Sequence, residues 1–453
     1  MTWARKTAWN VLTQLETTQQ DPRWILQSFF STSKNLPERE YALASNLVFS
    51  VLRRQAGLDW LLDRVSRIPL RKCAIPVRTA LRLGAVQLCV LDRIPDHAAV
   101  NETVNLLKGS QPKWVVGFVN GVLRSLSREW ETHWAALDEE PLSVQLSIRY
   151  SHPEWLVRRW IERMGSEETL KTLKADNLEP PRTIRVNPMH TDRTSMRRAL
   201  EAGGVSARET RFSPDGLVLQ KLEGPIERLG PWESGGIDIQ DEGAQLVGYL
   251  AAPVPGARVL DVCAGRGGKT GHMAQLMGDR GEIVALDSSP DKVRLLCDNV
   301  HRQRVRCVVP VKGDVTLLRP DELGGLFALV LVDAPCSALG VLRRRPDARW
   351  KKRESDIARM SGVQRDILLA AARFVEPGGA LVYCTCSTEP EENESNVQWF
   401  LETHPGFRLE PATAVLPSEA RSPAGPDGLF RCRTAVHDTD GFFGARFRLR
   451  GEK

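Results

Sequence analysis

Two short segments place thiols where a ligand could meet them. Asp333-Ala334-Pro335-Cys336-Ser337 follows the apolar run ALVLV, and Tyr383-Cys384-Thr385-Cys386-Ser387 follows GALV. Both runs read as buried strands, so both cysteine segments emerge at strand ends. The usual fate of a cysteine is burial in a core. Two at strand ends favour a chemical role, because ligands of open α/β sheets bind beyond the carboxyl ends of the strands. A thiolate is a nucleophile, and a neighbouring cation or helix N-terminus makes it more available. Added to carbon 6 of a cytosine, it makes carbon 5 enamine-like and able to take a methyl from a sulfonium. A base must then remove the carbon 5 proton, and an acid at the pyrimidine edge assists the addition; Asp333 is the candidate for that edge. Spacing does not choose the attacking thiol. Cys384 and Cys386 share a face if the strand continues that far. A Cys-x-Cys zinc site is the rival reading, but no second pair of ligands stands nearby, so no metal is expected.

A glycine-rich turn supplies the second element. The run RVLDVC leads into Asp261-Val262-Cys263-Ala264-Gly265-Arg266-Gly267-Gly268-Lys269-Thr270. Glycines between a strand and a helix let the backbone approach a ligand closely. A phosphate-binding loop needs Gly where Cys263 stands, and a dinucleotide fingerprint begun at Gly265 needs Gly where Thr270 stands, so both fail. The pattern is nearer the D-x-G-x-G-x-G loop of Rossmann-like methyltransferases, with Cys263 replacing the first Gly. Asp287 ends the next apolar run, where a carboxylate can hold ribose hydroxyls. Asp314 ends the one after, within reach of an adenine amino group. A single strand-end Asp is more often a helix cap. Asp261, Asp287, Asp314 and Asp333 closing successive strands favour a site.

These residues need a sheet to gather them. From about Asp241 onward, RVLDVC, EIVALD, CVVPVKGD, ALVLVDAP and GALVYCTC alternate with helical stretches, which predicts a parallel, doubly wound sheet; GFFGARFRL reads as a last strand. Ahead of it, TIRVNP reads as a strand and SMRRALEAGG as a helix closed by Gly203 or Gly204. The first part of the chain is helical: Ala8, Val11, Leu12 and Leu47, Val51, Leu52 recur at helical spacing. Pro37-Glu38 suits a first helical turn, and Arg93-Ile94-Pro95-Asp96 suits a break between helices. The expected organisation is a helical bundle over 1–135, a linker helix with a small α+β domain over 145–238, and an α/β domain over 239–453.

The chain has 453 residues, 42% of them hydrophobic and 26% charged, which suits several globular domains. No uncharged apolar run approaches the roughly 18 residues of a membrane span. The N-terminal MTWARKTAWNVL holds no apolar signal core. Nine scattered cysteines suit a reduced, cytoplasmic protein. The net charge of +6 permits an anionic partner. Arg343-Arg344-Arg345 and Lys351-Lys352-Arg353 flank Trp350 just beyond the Pro-Cys segment, and cations beside an aromatic suit RNA phosphates and bases. The plainer reading of such runs is a solvated loop; adjacency to the cysteines favours RNA contact. Arg5, Arg53, Arg54 and Arg124 could extend the footprint or only form surface ion pairs.

DVCAGRGGKT, LVDAPCSALGVLRRRPDARW, YCTCSTEPEEN and DGFFGARF together resemble successive motifs of the bacterial rRNA cytosine-C5 methyltransferase family called RsmB. ARKTAWNVL, NLVFSVLRRQAGLDWLL, RIPDHAAVNETVNLLK and FVNGVLRSL resemble its NusB-like, RNA-binding helical domain. The resemblance implies a class I, Rossmann-like methyltransferase domain that uses S-adenosyl-L-methionine on small-subunit rRNA. It implies Cys386 as nucleophile and Cys336 as the thiol that assists release. It gives cofactor contacts to Cys263, Ala264, Gly265, Arg266, Gly267, Gly268, Lys269, Asp287, Asp314 and Asp333, and sets Asp333 and Lys269 beside the target base. RNA contacts fall to Arg343, Arg344, Arg345, Trp350 and Lys351, and a monomer is expected. Two features depart from the family: the pair Gly265-Arg266 stands where Ala-Pro is usual, and Cys384 where Ser or Ala is common. The alternatives are the same chemistry on tRNA or another RNA, and an RNA-binding protein that has lost catalysis; the intact Asp and Cys set argues against the second.

Overall fold

Apolar spacing of three and four along the first part of the chain does produce helices. A computed structural model describes residues 2–18, 20–31, 37–92, 94–220, 222 and 224–451. Its helices begin with α1 (Trp3–Leu15), α2 (Pro22–Ser31), α3 (Glu38–Val65), α4 (Ile75–Cys89), α5 (Asp96–Leu107), α6 (Lys113–Ala136), α7 (Leu142–Tyr150) and α8 (Glu154–Ala175). Ala4, Ala8, Val11 and Leu12 of α1 bury against Leu47, Val48 and Val51 of α3 in one apolar cluster. Gly84 lets α4 close on α6, since a Cβ there would stand 2.6 Å from Leu123 Cδ1. Pro37 caps α3 and Pro95 caps α5. Arg93, part of the expected break, lies outside the described residues.

The chain divides into two compact units, Met1–Leu178 with Arg345–Lys351, and Glu179–Arg344 with Lys352–Lys453. Helices α7 and α8 fall in the first unit and pack with the bundle. The cause lies in α3: a Cβ on Gly57 would meet the Ile148 carbonyl at 3.2 Å, and the Ala56 N–H donates to Ser151 Oγ at 2.9 Å. The first unit also holds Arg349, fully buried, whose guanidinium donates to the carbonyls of Ser151 and Asp176 and to Asn177 Oδ1 at 3.2, 2.6 and 2.7 Å.

The second unit opens with a four-stranded antiparallel sheet ordered β2-β3-β1-β4, from β1 (Arg182–Val186), β2 (Ala207–Glu209), β3 (Gly216–Leu219) and β4 (Ile237–Ile239). Helix α9 (Arg193–Ala202) starts on Asp192, which accepts from Ser195 N at 2.9 Å, and ends at Gly203. Ile184 and Val186 of β1 join Met196 and Leu200 of α9 in a core of their own. On the other face of β1, buried Arg185 donates to the Gly268 carbonyl at 3.0 Å and to Gln275 Oε1 at 3.2 Å.

The large sheet follows, preceded by α10 (Gly230–Glu233) and α11 (Glu242–Ala251). Its parallel strands are β5 (Arg258–Asp261), β6 (Glu282–Asp287), β7 (Val308–Lys312), β8 (Phe327–Asp333) and β9 (Val375–Thr385). Helices α12 (Gly268–Leu276), α13 (Pro290–Gln303) and α14 (Ser355–Ala372) lie between them in sequence, and α15 (Glu394–Thr403), β10 (Phe407–Glu410), β11 (Phe430–Cys432), α16 (Thr434–His437) and β12 (Phe442–Leu449) follow. The order is β10-β12-β9-β8-β5-β6-β7. The expectation of a parallel sheet holds for β5 to β9. The last strand, β12, runs antiparallel between β9 and β10 because the chain enters it from the edge where β9 ends. Strand residues alternate between two cores, with Val259, Leu331 and Val382 on one face and Leu260, Val330 and Leu381 on the other.

Arg349 offers a test of the first unit. Replacing it by Ala leaves two carbonyls and an amide oxygen buried without donors, and should lower stability by about 3 kcal/mol. Denaturant melts of the full chain measure this; a change below about 1 kcal/mol would mean water takes the guanidinium's place.

Candidate active site

Sheet order explains why two distant sequence segments meet. Strands β8 and β9 are parallel neighbours, with Asp333 opposite Cys384 in the register. The chain leaves both strands at the same edge, so the Pro-Cys and Thr-Cys loops run side by side. Cys336 Sγ and Cys386 Sγ lie 3.2 Å apart, both half-buried. The Gly340 N–H donates to the Cys386 carbonyl at 2.9 Å, and Gly441 N–H to the Gly340 carbonyl at 2.7 Å. A Cβ on Gly340 would come within 2.4 Å of the Gly441 carbonyl oxygen, so only glycine permits this stacking of three loops.

Lys269 and Asp333 form the charged centre. Nζ sits 2.5 Å from Asp333 Oδ2 and over the Phe442 ring at 5.2 Å. Burial works against the ammonium, but Asp333 and the thiols of Cys384 and Cys386 outweigh it and hold its pKa above the ordinary lysine value. The second oxygen of Asp333 accepts from Cys384 Sγ at 3.4 Å. Cys384 is fully buried among the apolar residues of one core, so it supports Asp333 and is not presented as a third nucleophile. Strand β9 stops at Thr385, and Cys386 beyond it is only half-buried at the margin of that core. The hydrogen bond to Cys336 and burial hold Cys386 well above the usual thiol range, with Lys269 opposing them.

The glycine loop joins β5 to α12. Gly265 and Gly267 take φ of +59° and +82°, and a Cβ on Gly267 would strike Leu296 Cδ1 at 2.4 Å. The Gly265 N–H donates to Asp287 Oδ2 at 3.0 Å and the Ala264 N–H to the Leu286 carbonyl at 2.9 Å. Asp287 also accepts from Ser289 N at 2.9 Å. Asp261 is buried beneath the loop, bonded to Thr270 Oγ1 at 2.8 Å, and burial pushes its pKa up to about 7. Burial raises the Cys263 thiol as well. Arg266 is exposed, and its carbonyl accepts from Asn299 Nδ2 at 3.3 Å. Asp314 is exposed and accepts from Thr316 N and Oγ1 at 2.9 and 2.7 Å, a turn-capping role that leaves its other oxygen open.

The structure corrects the reading of the arginine run. Arg343 is buried, donating to Asp438 at 2.6 Å and to the Glu179 carbonyl at 2.8 Å. Arg344 joins Asp241 at 2.9 Å and Asp440 at 2.7 Å. Neither guanidinium is available to a phosphate, because each is desolvated and held by carboxylates. Arg345 pairs with Asp347 at 3.1 Å and Lys351 donates to the Thr18 carbonyl at 3.0 Å; Trp350 is half-buried. Arg353 is the exposed cation of the stretch. In the helical unit Arg5 is buried against Gln87 at 2.7 Å, whereas Arg54 and Arg124 are exposed.

Sequence reasoning gave no role to Glu392. It is fully buried, and its carboxylate accepts from Ser337 N at 2.8 Å, Gln364 Nε2 at 2.9 Å, Ser337 Oγ and Ser387 Oγ. Beside it Asn393 Nδ2 donates to the Ser387 carbonyl at 2.9 Å, and Thr385 Oγ1 donates to Asn393 Oδ1 at 2.6 Å. EPEEN read alone suggests an exposed acidic turn. The available signal was the pairing of Cys-Ser with Cys-Ser, two hydroxyl loops that require a shared acceptor once buried.

A model of the 16S rRNA methyltransferase RsmB/F family matches residues 248–448, a NusB family model matches 2–128, and a model of the RsmF/B-like ferredoxin-like domain matches 152–226. The probable ribosomal RNA small subunit methyltransferase B of Bacillus subtilis is 34% identical over 453 residues, 99% of each chain. The ribosomal RNA small subunit methyltransferase B of Salmonella paratyphi B is 33% identical over 416 residues, 91% of each chain. Among solved structures, that of PH0851 superposes with a TM-score of 0.84 at 26% identity over 98% of each chain. A methyltransferase homologue from Pyrococcus horikoshii gives 0.59 at 27% identity, over 68% of this chain and 99% of that one. Full-length identity at this level, and a family model spanning both cysteine loops, show that the chain belongs to the RsmB/F family of 16S rRNA methyltransferases.

Proposed function

We propose that this protein methylates carbon 5 of a cytosine in 16S rRNA, with Cys386 as the nucleophile. The observation that carries the reading is the pair of sulfurs 3.2 Å apart beside the Lys269–Asp333 ion pair. The glycine loop suits S-adenosyl-L-methionine: a Cβ on Gly265 would meet only the Cys263 carbonyl, at 3.9 Å, so the loop's outer face is open. That cofactor would supply an electrophilic methyl group. Backbone from Cys263 to Lys269 would cradle it, with Asp287 on the ribose, Asp314 on the adenine and Asp333 at the reacting end.

The chain's own groups account for the remaining steps. Cys386 rests as a thiol and, as it attacks, passes its proton by way of the Asp333 carboxylate to N3 of the base, while the Lys269 ammonium stabilises the developing thiolate. The Sγ–C6 bond forms while the C5=C6 electron pair is released toward the ring carbonyl and N3, and Asp333 holds that edge of the base. Carbon 5 then takes the methyl group. Loss of the carbon 5 proton to a base restores the double bond and expels Cys386, and Cys336 is the group placed to serve that release. The target cytosine must be unpaired or flipped for carbon 6 to be reached. Exposed Arg54 and Arg124 of the helical unit, and exposed Arg353 of the second unit, are each proposed RNA contacts. The names of the relatives and the NusB family match support 16S rRNA over tRNA. No helix among the described residues is long and apolar enough to cross a membrane. We take the working form to be a cytoplasmic monomer.

Three measurements test this. Cys386→Ala should lower methyl transfer by about a thousandfold or more while cofactor affinity stays within about twofold; a variant that still transfers refutes the nucleophile. Cys336→Ala should accumulate a protein–RNA adduct on a denaturing gel, and absence of the adduct during turnover removes Cys336 from release. Lys269→Met takes away a cation that lowers the Cys386 pKa, so less thiolate exists at a given pH; alkylation of Cys386 near about pH 8.5 should slow by roughly tenfold. An unchanged alkylation rate would show that the ammonium does not act on this sulfur.

A further inference from the structure

The reading of Cys386 and Cys336 as working thiols leaves open what sets their separation. Their strands do not, because the β8–β9 register ends at Asp333 and Cys384, before either sulfur's loop completes. Beyond those residues the two loops meet at one group. Glu392 accepts from Ser337 through its N–H and its hydroxyl, and from the hydroxyl of Ser387. Each serine is the residue next to a reacting cysteine. The hydroxyls also lie 3.0 Å from each other. A third element locks the carboxylate: Gln364 of α14 donates to it at 2.9 Å and to the Pro335 carbonyl at 2.9 Å. Gln364 is itself held by Tyr383 and Asn396, at 3.0 and 2.9 Å.

We propose that Glu392 is the positioning residue of this active site: its carboxylate pins the Pro-Cys-Ser loop to the Thr-Cys-Ser loop and so fixes the distance between the two thiols. The inference rests on the catalytic reading above and deepens it. The pin acts by location. A carboxylate is acceptor-only and can take several donors at once, which an amide or hydroxyl cannot do in the same space. Burial makes each of these bonds strong and makes an orphaned donor costly. Glu392 needs no contact with substrate. Both reactions at the cytosine, addition by one sulfur and release assisted by the other, depend on the alignment it imposes, and a misplacement of about 1 Å can cost a hundredfold in rate.

Glu392→Gln keeps the shape and replaces one acceptor oxygen by a donor that faces existing donors. Two readouts follow it: single-turnover methyl transfer to a 16S rRNA fragment, and the rate at which diamide links Cys336 to Cys386 in the full chain without RNA. Diamide takes up the two thiol hydrogens as the disulfide forms, so trapping reports proximity of the sulfurs and is independent of the catalytic reading. We expect kcat to fall about a hundredfold with KM for RNA and cofactor affinity within about twofold, and disulfide trapping to slow by about tenfold. The double variant Ser337→Ala/Ser387→Ala should reproduce both effects, and adding Glu392→Gln to it should cost little more, because the residues act through one contact. If Glu392→Gln loses cofactor binding through misfolding, the serine pair carries the test. Trapping at the parent rate, or strictly additive losses, would overturn the proposal. A Cys386→Ala protein that still methylates would instead overturn the catalytic reading and leave the trapping result standing.

Discussion

Parallel pairing of β8 with β9 is the constraint from which the active site follows. With Asp333 opposite Cys384 in the ladder, the two loops that follow must leave the sheet together. A slip of one residue would turn Cys386 toward the opposite face and leave Cys336 alone. The ladder itself is held by burial on both faces, Val330 and Leu381 on one side and Leu331 and Val382 on the other. Two packed cores thus specify the register, and the register delivers two sulfurs to one place.

Charge is distributed by the same logic. Lys269 comes from the first turn of α12, Asp333 from the end of β8, and their contact spans the switch point where the sheet order reverses between β5 and β8. Arg185 steadies the same helix from the small antiparallel sheet, giving its guanidinium to the Gly268 carbonyl one residue before Lys269. The small sheet therefore contributes a fixed end to the helix that carries the ammonium. This gives the α+β segment a part in the site without any of its residues touching the reacting atoms.

Much of this was legible in the residues. Short Val- and Leu-rich runs separated by helical periods mark a parallel sheet whichever residues end the strands, and the ending residues Asp261, Asp287, Asp333 and the two Cys-Ser segments mark its active edge. What sequence hid was partnership. Arg343 and Arg344 look solvent-facing because their partners Asp438, Asp440 and Asp241 lie about a hundred residues away in either direction. Glu392 was hidden for the same reason reversed: four acidic residues within 389–394 suggest exposure, yet Glu389 and Glu392 are fully buried. The antiparallel direction of β12 was also invisible, since alternation reports the pleat and not the heading.

The Asp241–Arg344–Asp440 triad shows how the last loop is brought in. Asp241 lies at the start of α11, Asp440 immediately before β12, and Arg344 at the end of the Pro-Cys segment, so one guanidinium ties three parts of the unit together. Burial, with Asp440 beside it, lifts the Asp241 pKa to about 7, and Arg344 opposes the rise. Such a triad is a poor source of net stability, because desolvating three charges costs most of what their attraction returns. Its value is geometric. Gly441 and Phe442 follow Asp440 directly; the first stacks on Gly340 and the second lies under Lys269. A hydrophobic replacement of similar volume could fill the space and would fix none of those positions. A buried ion cluster at this point is best understood as a locator for the loop that closes the site.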